Sequence, residues 1–276
     1  MAQEVQPGQI GEIRTASTQG GGSAITGTSQ VISFPTGTRY VSLFARNFAS
    51  SAAVVEWALC PSLIVLKTTD ALVAVGNLTD YTVEVQDALT TTVATLDSLD
   101  TAANNDFVYV GSYDKFSGVD VNHSGSKVNG TTSVLTVKYW NGSVWGDISD
   151  TDGTIAGGAT FAVDGQVTWT VPSDWAADSL FNIGDTTLTA TWLKEPTIYW
   201  TRWEVSVALD AEVEIDHMIG LRANRSLAEL VSSAGMEFMI SEGPGGISGV
   251  EALTNTGTAN FIVNVATAAV GRRFVN

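Results

Sequence analysis

The side chains with the clearest potential for chemistry are three aspartates close together in the sequence. Asp147, Asp150 and Asp152 precede Gly153 in the segment Asp-Ile-Ser-Asp-Thr-Asp-Gly. Carboxylates gathered in one turn supply the oxygen ligands that Ca²⁺ prefers. The run lacks the spacing of an EF-hand loop, and Asp-Gly is also a common turn dipeptide. The pattern therefore favours a simple turn, with a weak calcium site as the alternative, and we expect no other metal and no cofactor.

Nucleophilic catalysis is not indicated by the residues that would carry it. The chain has two histidines, His123 and His217, and one cysteine, Cys60. No serine stands in a Gly-x-Ser-x-Gly elbow. Cys60 precedes Pro61 after an apolar strand, which is typical of a buried, inert thiol. A single cysteine also excludes an intrachain disulfide. We expect no catalytic residue and no enzymatic activity.

Tryptophan is concentrated in one part of the chain, and two interpretations follow. Seven of the eight tryptophans are Trp140, Trp145, Trp169, Trp175, Trp192, Trp200 and Trp203. Exposed rings would stack on sugars, whereas buried rings would fill a core or a subunit contact. Trp200 and Trp203 must lie on opposite faces of a regular strand, so the tryptophans cannot all belong to one core. We favour core and interface roles over sugar binding.

Composition and charge exclude several classes of partner. Only 15% of the 276 residues are charged, whereas 44% are hydrophobic, so the chain can bury a large core and is not intrinsically disordered. Asp plus Glu number 29 and Lys plus Arg 13, a net charge of −16. Because phosphate contacts need Lys and Arg, we expect no nucleic-acid partner. No apolar run reaches the roughly 18 residues of a membrane span, and the N-terminus lacks Sec signal features, so we expect no membrane partner.

Residues 1–30 are predicted to form an extended arm. They contain Pro7-Gly8 and the triplet Gly20-Gly21-Gly22, with isolated apolar residues that cannot form a core alone. Two interpretations remain open, a mobile terminus or a segment that becomes ordered along a neighbouring subunit. The C-terminal stretch 270–275 is apolar and basic, and we expect it to dock on a partner surface.

The remaining sequence predicts strands almost throughout. Leu135, Val137 and Tyr139 share one face of a strand that ends at Asn141-Gly142, a strong hairpin signal. Short strands at near-regular spacing predict an all-β, antiparallel fold of the β-sandwich or jelly-roll type. One short helix is predicted at 227–231, where Ser226 and Glu229 have capping-box spacing. We divide the chain into the arm (1–30), a small β region (31–100), a β-sandwich core module (101–220) and a segment with the short helix and C-terminal strands (221–276).

The segment 106–215 contains a series of strand motifs that is characteristic as a set. It comprises Tyr109-Val110-Gly111, Phe116-Ser117-Gly118-Val119, Leu135-Thr136-Val137-Lys138-Tyr139-Trp140-Asn141-Gly142-Ser143, Val167-Thr168-Trp169 with Pro172-Ser173-Asp174-Trp175, and Tyr199-Trp200-Thr201-Arg202-Trp203-Glu204-Val205-Ser206. The series resembles a β-sandwich module of virion structural proteins of tailed bacteriophages and covers about 40% of the chain. Since that module occurs in head and tail proteins, the resemblance implies a virion protein without giving its place in the particle.

The resemblance and the composition together predict a capsid decoration or cement protein. It would be made in the host cytoplasm and would lie on the capsid exterior, bridging major capsid subunits and, by family analogy, forming trimers with copies of itself. The predicted interface residues are Ile10, Ile13, Arg14, Trp200, Arg202, Arg272, Arg273 and Phe274. One alternative is a neck, tail or baseplate protein with receptor or glycan binding through exposed tryptophans. The other is a wall-degrading hydrolase, which no residue recommends.

Overall fold

The computed structural model describes residues 12–15, 25–34, 38–69, 78–86, 91–97, 99–183, 196–223, 228–230, 235–239 and 246–267. Within them the chain is almost entirely antiparallel β-structure, so the all-β prediction is confirmed. The chain forms two compact units. The first unit combines Met1–Cys60 with Asn224–Asn276, and the second unit is the continuous segment Pro61–Ala223.

The strands are numbered in chain order. They are β1 (Glu12–Thr15), β2 (Gln30–Ser33), β3 (Thr38–Arg46), β4 (Val55–Pro61), β5 (Ile64–Thr68), β6 (Leu78–Asp80), β7 (Ala94–Thr95), β8 (Phe107–Ser112), β9 (Phe116–His123), β10 (Leu135–Trp140), β11 (Trp145–Asp147), β12 (Thr151–Asp152), β13 (Gly165–Thr168), β14 (Ala177–Asp178), β15 (Ile198–Val205), β16 (Glu214–Arg222), β17 (Ala228–Leu230), β18 (Gly235–Met239), β19 (Ile247–Thr254) and β20 (Asn260–Thr267). The described helices are a 3-10 turn at Ala102–Asn104 and a single α-helical turn, α1, at Leu180–Ile183. No helix in the described ranges is long and apolar enough to cross a membrane.

Two four-stranded sheets build the first unit, in the orders β1–β20–β3–β18 and β17–β4–β19–β2. In β3 the side chains of Val41, Leu43 and Ala45 are buried while Phe44 is partly exposed, which follows the period of two of a strand with one buried face. These residues join Trp57 and others from the second sheet in one apolar core. Strands from both ends of the sequence therefore complete the same sandwich.

A seven-stranded and a five-stranded sheet build the second unit. The larger sheet has the order β11–β10–β15–β8–β5–β6, with β14 also paired to β15, and the smaller has the order β12–β13–β9–β16–β7. Val110 and Trp203 of the larger sheet meet Val121 and Ile215 of the smaller one in a shared core. This arrangement confirms a β-sandwich in the region of the predicted core module.

The larger sheet of the second unit is apolar on both faces. In β8, Val108 and Val110 belong to the core of the sandwich, whereas Phe107 and Tyr109 belong to a second cluster with Trp200. Leu180 and Ile183 of α1 are part of this second cluster. Alternate residues of one strand thus enter two different cores, because both faces of the strand are covered.

The structure corrects two predictions about the first unit. Where the sequence predicts a helix at 227–231, the described residues Ala228–Leu230 form β17, which pairs with β4 (Ala228 opposite Trp57, Leu230 opposite Val55). A helix this short gains little stability on its own, and pairing with a neighbouring strand outweighs the helix propensity of its residues. Part of the predicted arm is also integral, since β1 pairs with β20 and Ile25 is fully buried.

The strand order also departs from the four sequence segments. Strands β18, β19 and β20 pair with β3 and β2 from the other end of the chain, and not among themselves as a C-terminal unit. The division into 1–30, 31–100, 101–220 and 221–276 therefore does not follow the topology. Apolar patterning marks the strands but carries no information on which distant strand will be the partner.

Candidate functional site

A surface pocket of about 300 Å³ lies on the second unit, next to the β10–β11 hairpin. It is lined by Val134, Leu135, Thr136, Asp147, Ser149, Asp150, Asp152 and Ile155. The hairpin forms where the sequence predicts it, with Trp140 opposite Trp145 and with Gly142 at a φ of 95°. Asp147 ends β11, Asp150 lies in the connection to β12, and Asp152 ends β12. The structure thus brings the sequence-predicted calcium candidates to one pocket.

Each of these carboxylates accepts hydrogen bonds from its own neighbourhood. Asp147 Oδ1 accepts from the Ser149 N–H at 2.7 Å, and Asp150 Oδ1 accepts from the Val137 N–H at 2.9 Å. These bonds close the connection between β11 and β12, where Ser149 has a left-handed φ of 56°. The carboxylates therefore shape the pocket wall as well as charging it.

Asp152 is the most completely bonded of the three aspartates. Its Oδ1 accepts from the N–H and the hydroxyl of Thr154 at 2.8 and 2.6 Å, and its Oδ2 accepts from the Thr160 hydroxyl at 2.6 Å. Gly153 lies between Asp152 and Thr154 in the turn, and a Cβ at this position would stand 2.5 Å from the Gln166 carbonyl oxygen. The Asp-Gly pair thus serves the turn that its sequence predicts.

The three aspartates give the pocket a negative charge. Desolvation by burial raises the pKa of Asp150 above its ordinary value, and the charges of Asp152 and Asp147 raise it further, against the opposing effect of the Val137 N–H. In the described ranges, no lysine or arginine forms an ion pair with any of these three aspartates. The pocket therefore holds uncompensated negative charge.

The three carboxylates do not form a metal centre. Among the residues that the structure describes, no three His, Cys, Asp or Glu side chains are grouped in a way that could hold a metal ion. Both oxygens of Asp152 already accept hydrogen bonds from threonine groups. The geometry therefore favours the turn interpretation of this sequence over the calcium interpretation.

A buried network supports the loop behind the pocket. Phe161 has a left-handed φ of 55°, which is unusual for a bulky residue, and its N–H donates to the Thr154 hydroxyl at 2.9 Å. Its ring stacks on Trp203 at 6.2 Å between centroids. Asn129 donates from Nδ2 to the Thr160 carbonyl at 2.9 Å and accepts at Oδ1 from the Thr131 N–H at 3.0 Å. Sequence reasoning missed this network, since isolated Asn and Thr residues give no signal of tertiary bonding.

The described tryptophans are buried, except for Trp145, which is partly buried. Trp200 and Trp203 do lie on opposite faces of β15, as alternation predicts, but both are buried. Trp200 Nε1 donates to the Asp178 carbonyl at 3.1 Å. Trp200 is buried because the outer face of its sheet has a core of its own, and this burial disfavours the predicted interface role. Trp192 lies outside the described residues, and none of the tryptophans within them is exposed.

The side chain of Arg202 is largely covered, with 12% exposed, and its contacts within its own unit disfavour the predicted interface role. Its guanidinium stacks between the rings of Phe107 and Trp145, at 4.4 and 5.0 Å from their centroids, and pairs with Glu204 at 2.7 Å. Aromatic stacking and a buried carboxylate hold the cation against the sheet. Of the other predicted interface residues, Ile13 and Arg14 are in β1, opposite Asn264 and Val263. Ile10, Arg272, Arg273 and Phe274 lie outside the described residues.

The histidine and cysteine side chains are structural. Cys60 is fully buried, as predicted. His123 Nδ1 lies 3.1 Å from Asp164 Oδ1, and its buried ring packs edge-on against Phe161. Desolvation lowers the pKa of His123, and the hydrogen bond that its ring makes to the Asp164 carboxylate only partly opposes that effect. Through its contact with Asp164, His123 ties the end of β9 to the loop before β13.

Comparison with protein-family models and with curated sequences adds no relative to this description. No protein-family model matches the chain, and no curated protein sequence matches it. In the part of the chain that the structure describes, the fold is all-β in two units, and a charged surface pocket lies on the second unit.

Proposed function

We propose that this protein is a structural component of a phage virion, and that it is a decoration or cement protein on the capsid exterior. It would bridge major capsid subunits and associate with copies of itself. The supporting sequence feature is the strand series at 106–215, which resembles the module of tailed-phage virion proteins. The supporting structural feature is a rigid β-sandwich that displays aliphatic side chains to solvent.

The observation that carries this proposal is the set of exposed aliphatic residues on the second unit. Val83, Val134, Val144, Ile155, Val163 and Val207 are each between 41% and 71% exposed. Exposed aliphatic side chains of this number, on a unit with tightly packed cores, are suited to repeated modest contacts with a shell. Many such contacts along a capsid add up through multivalency, so each contact alone need not be strong.

The charge distribution supports a position away from packaged DNA. The second unit has 22 acidic and 7 basic residues, a formal charge of −15, whereas the first unit has 7 acidic and 6 basic residues, a formal charge of −1. A surface as acidic as that of the second unit repels nucleic-acid phosphates. It also repels a second copy of itself, so we place contacts between copies on the first unit.

The test is the copy number of the chain in purified particles of the phage that encodes it. Quantitative mass spectrometry, with the major capsid protein as internal standard, measures that number. We expect hundreds of copies per particle, as for a protein that covers the shell. About a dozen copies would instead place the chain in the neck, tail or baseplate, and absence from particles would overturn the proposal.

A further inference from the structure

We propose that the pocket at Val134 and Ile155 docks a lysine or arginine side chain from a basic segment of a partner protein. The proposal goes beyond a location in the virion, because it concerns the chemistry of one pocket and can be tested on the purified chain alone.

The apolar part of the pocket is suited to contact with the methylene groups of a ligand side chain. Val134 is 59% exposed and Ile155 is 48% exposed, and both line the same pocket of about 300 Å³. Aliphatic side chains beside a concave surface gain free energy when a partner removes their area from water. The volume is at the small end of binding clefts, which suits one long side chain better than a folded surface.

The polar part of the pocket calls for a cation. Asp147, Asp150 and Asp152 line it, and the described ion pairs of the chain's own cations lie elsewhere. Lys138 is the clearest case, because it stands opposite Asp147 in the strand register but pairs with Glu204 at 2.8 Å. The carboxylates at the pocket are therefore available to a cation that comes from outside.

A long basic side chain satisfies both parts at once. The stems of lysine and arginine are apolar and their ends are charged, so the stem would cover Val134 and Ile155 while the end meets Asp147 and Asp150. A second copy of this unit is a poor occupant, since its formal charge is also −15. A metal ion is a poor occupant as well, because the carboxylates in the described ranges are not grouped to hold one. Charge complementarity thus favours a basic segment of another protein.

The structure supplies its own reporters for the test. The backbone N–H groups of Val137, Ser149 and Thr154 are bonded to the three pocket carboxylates, so their amide resonances should respond when a cation binds. The experiment titrates the ¹⁵N-labelled full chain with a capped Gly-Gly-Lys-Gly-Gly peptide and with the same peptide carrying norleucine. We expect saturable shifts of these three amides with the lysine peptide, and affinity lower by at least about fivefold with norleucine.

Matched variants separate the pocket from general electrostatic attraction. Asp147→Asn with Asp150→Asn, and separately Val134→Ser with Ile155→Ser, should each weaken the lysine peptide by at least about fivefold. Asp114→Asn and Val144→Ser change an exposed aspartate and an exposed valine that do not line the pocket, and should have less than about a twofold effect. The dispersion of each spectrum shows directly whether the variant is folded.

Three results would overturn the proposal. The first is equal binding of the norleucine peptide, which would remove the role of charge. The second is an effect of Asp114→Asn as large as that of the pocket variants, which would make the attraction non-specific. The third is displacement of the peptide by equimolar CaCl₂ with saturable shifts of the same amides, which would make the pocket a metal site. Because no virion is needed, these results are independent of the copy number that tests the proposed function.

Discussion

At the scale of single residues, polar side chains in the second unit act as connections between loops. Asp152 alone accepts hydrogen bonds from Thr154 and Thr160, and Thr154 in turn accepts from the Phe161 N–H. Buried polar groups of this kind cost stability unless each has a partner. The network therefore holds Phe161 in its left-handed conformation. It also occupies both carboxylate oxygens of Asp152, which leaves them less available to a ligand.

Asp150 provides a test of the balance between hydrogen bonding and charge. The variant Asp150→Asn keeps an oxygen that accepts from the Val137 N–H but removes a charge that is partly desolvated and close to Asp147 and Asp152. We expect it to raise the urea midpoint at pH 7. Since the pKa of Asp150 is raised on folding, its ionisation costs stability above that folded pKa, and the gain should vanish as the pH falls towards 3.8.

The control for this variant is Asp150→Ala, which removes the acceptor as well as the charge. It leaves the Val137 N–H without its bond and should destabilise the protein by about 1–3 kcal/mol relative to Asp150→Asn. A lower urea midpoint for Asp150→Asn than for the natural chain at pH 7 would show that the charge itself is stabilising, against this prediction.

Protonation of His123 gives stability a second pH dependence, opposite in sign to that of Asp150: as the pH falls, it lowers the free energy of unfolding. Its pKa in the folded protein is below the ordinary value of 6.5, so the unfolded chain takes up the proton first as the pH falls. The free energy of unfolding should therefore decrease from about pH 6.5 down to the folded pKa of His123. We expect the free energy of unfolding, measured with urea at about pH 7, 6 and 5, to depend less steeply on pH in His123→Gln than in the natural chain. If His123→Gln leaves this pH dependence unchanged, the loss of stability at lower pH comes from carboxylates and not from His123.

At the scale of elements, the larger sheet of the second unit depends on close approach between β8 and β15. Gly111 lies opposite Trp200, and a Cβ at Gly111 would stand 2.5 Å from Trp200 Cε3 and 2.7 Å from Ile198 Cδ1. The indole of Trp200 therefore occupies the space that any other residue at 111 would need. This contact explains why the strand motif contains a glycine between residues that pack.

We expect Gly111→Ala to destabilise the protein by about 1–3 kcal/mol, since two packed side chains must move. Thermal unfolding followed by tryptophan fluorescence measures the change. Gly27→Ala is a matched control, because a Cβ there meets only the Thr254 carbonyl oxygen at 3.7 Å. Equal unfolding temperatures for Gly111→Ala and the natural chain would contradict the packing described for Trp200.

At the scale of the whole molecule, the chain leaves the first unit, builds the second and returns. Both sheets of the second unit and the core between them are drawn from one continuous segment, Pro61–Ala223. A segment with its own core and its own strand pairings satisfies the usual requirements for independent folding. The first unit needs both ends of the sequence, because β20 lies between β1 and β3.

We therefore expect residues 61–223 to fold when expressed alone. Their amide spectrum should overlay on the corresponding resonances of the full chain, and unfolding should be cooperative. The matched control is residues 1–60 alone, which lack β18, β19 and β20 and should not give a dispersed spectrum. A collapsed, poorly dispersed spectrum for 61–223 would show that the second unit depends on the first.

The sequence by itself determined the local features of this protein. Alternating apolar residues predict the strands, Asn141-Gly142 predicts the hairpin, and Cys60 before Pro61 predicts a buried thiol, because each depends on neighbours within a few positions. The sequence also predicts that Asp147, Asp150 and Asp152 lie close together, because all three come from one short segment of the chain.

Only the tertiary structure decided the features that depend on distant partners. Residues 228–230 form a strand because β4 lies beside them, and Trp200 is buried because the outer face of its sheet carries a second core. The return of β20 to β3, and the meeting of Val134 with Ile155 at the charged pocket, join residues far apart in the chain. Such contacts are chosen by the packing free energy of the whole unit, which no local pattern encodes.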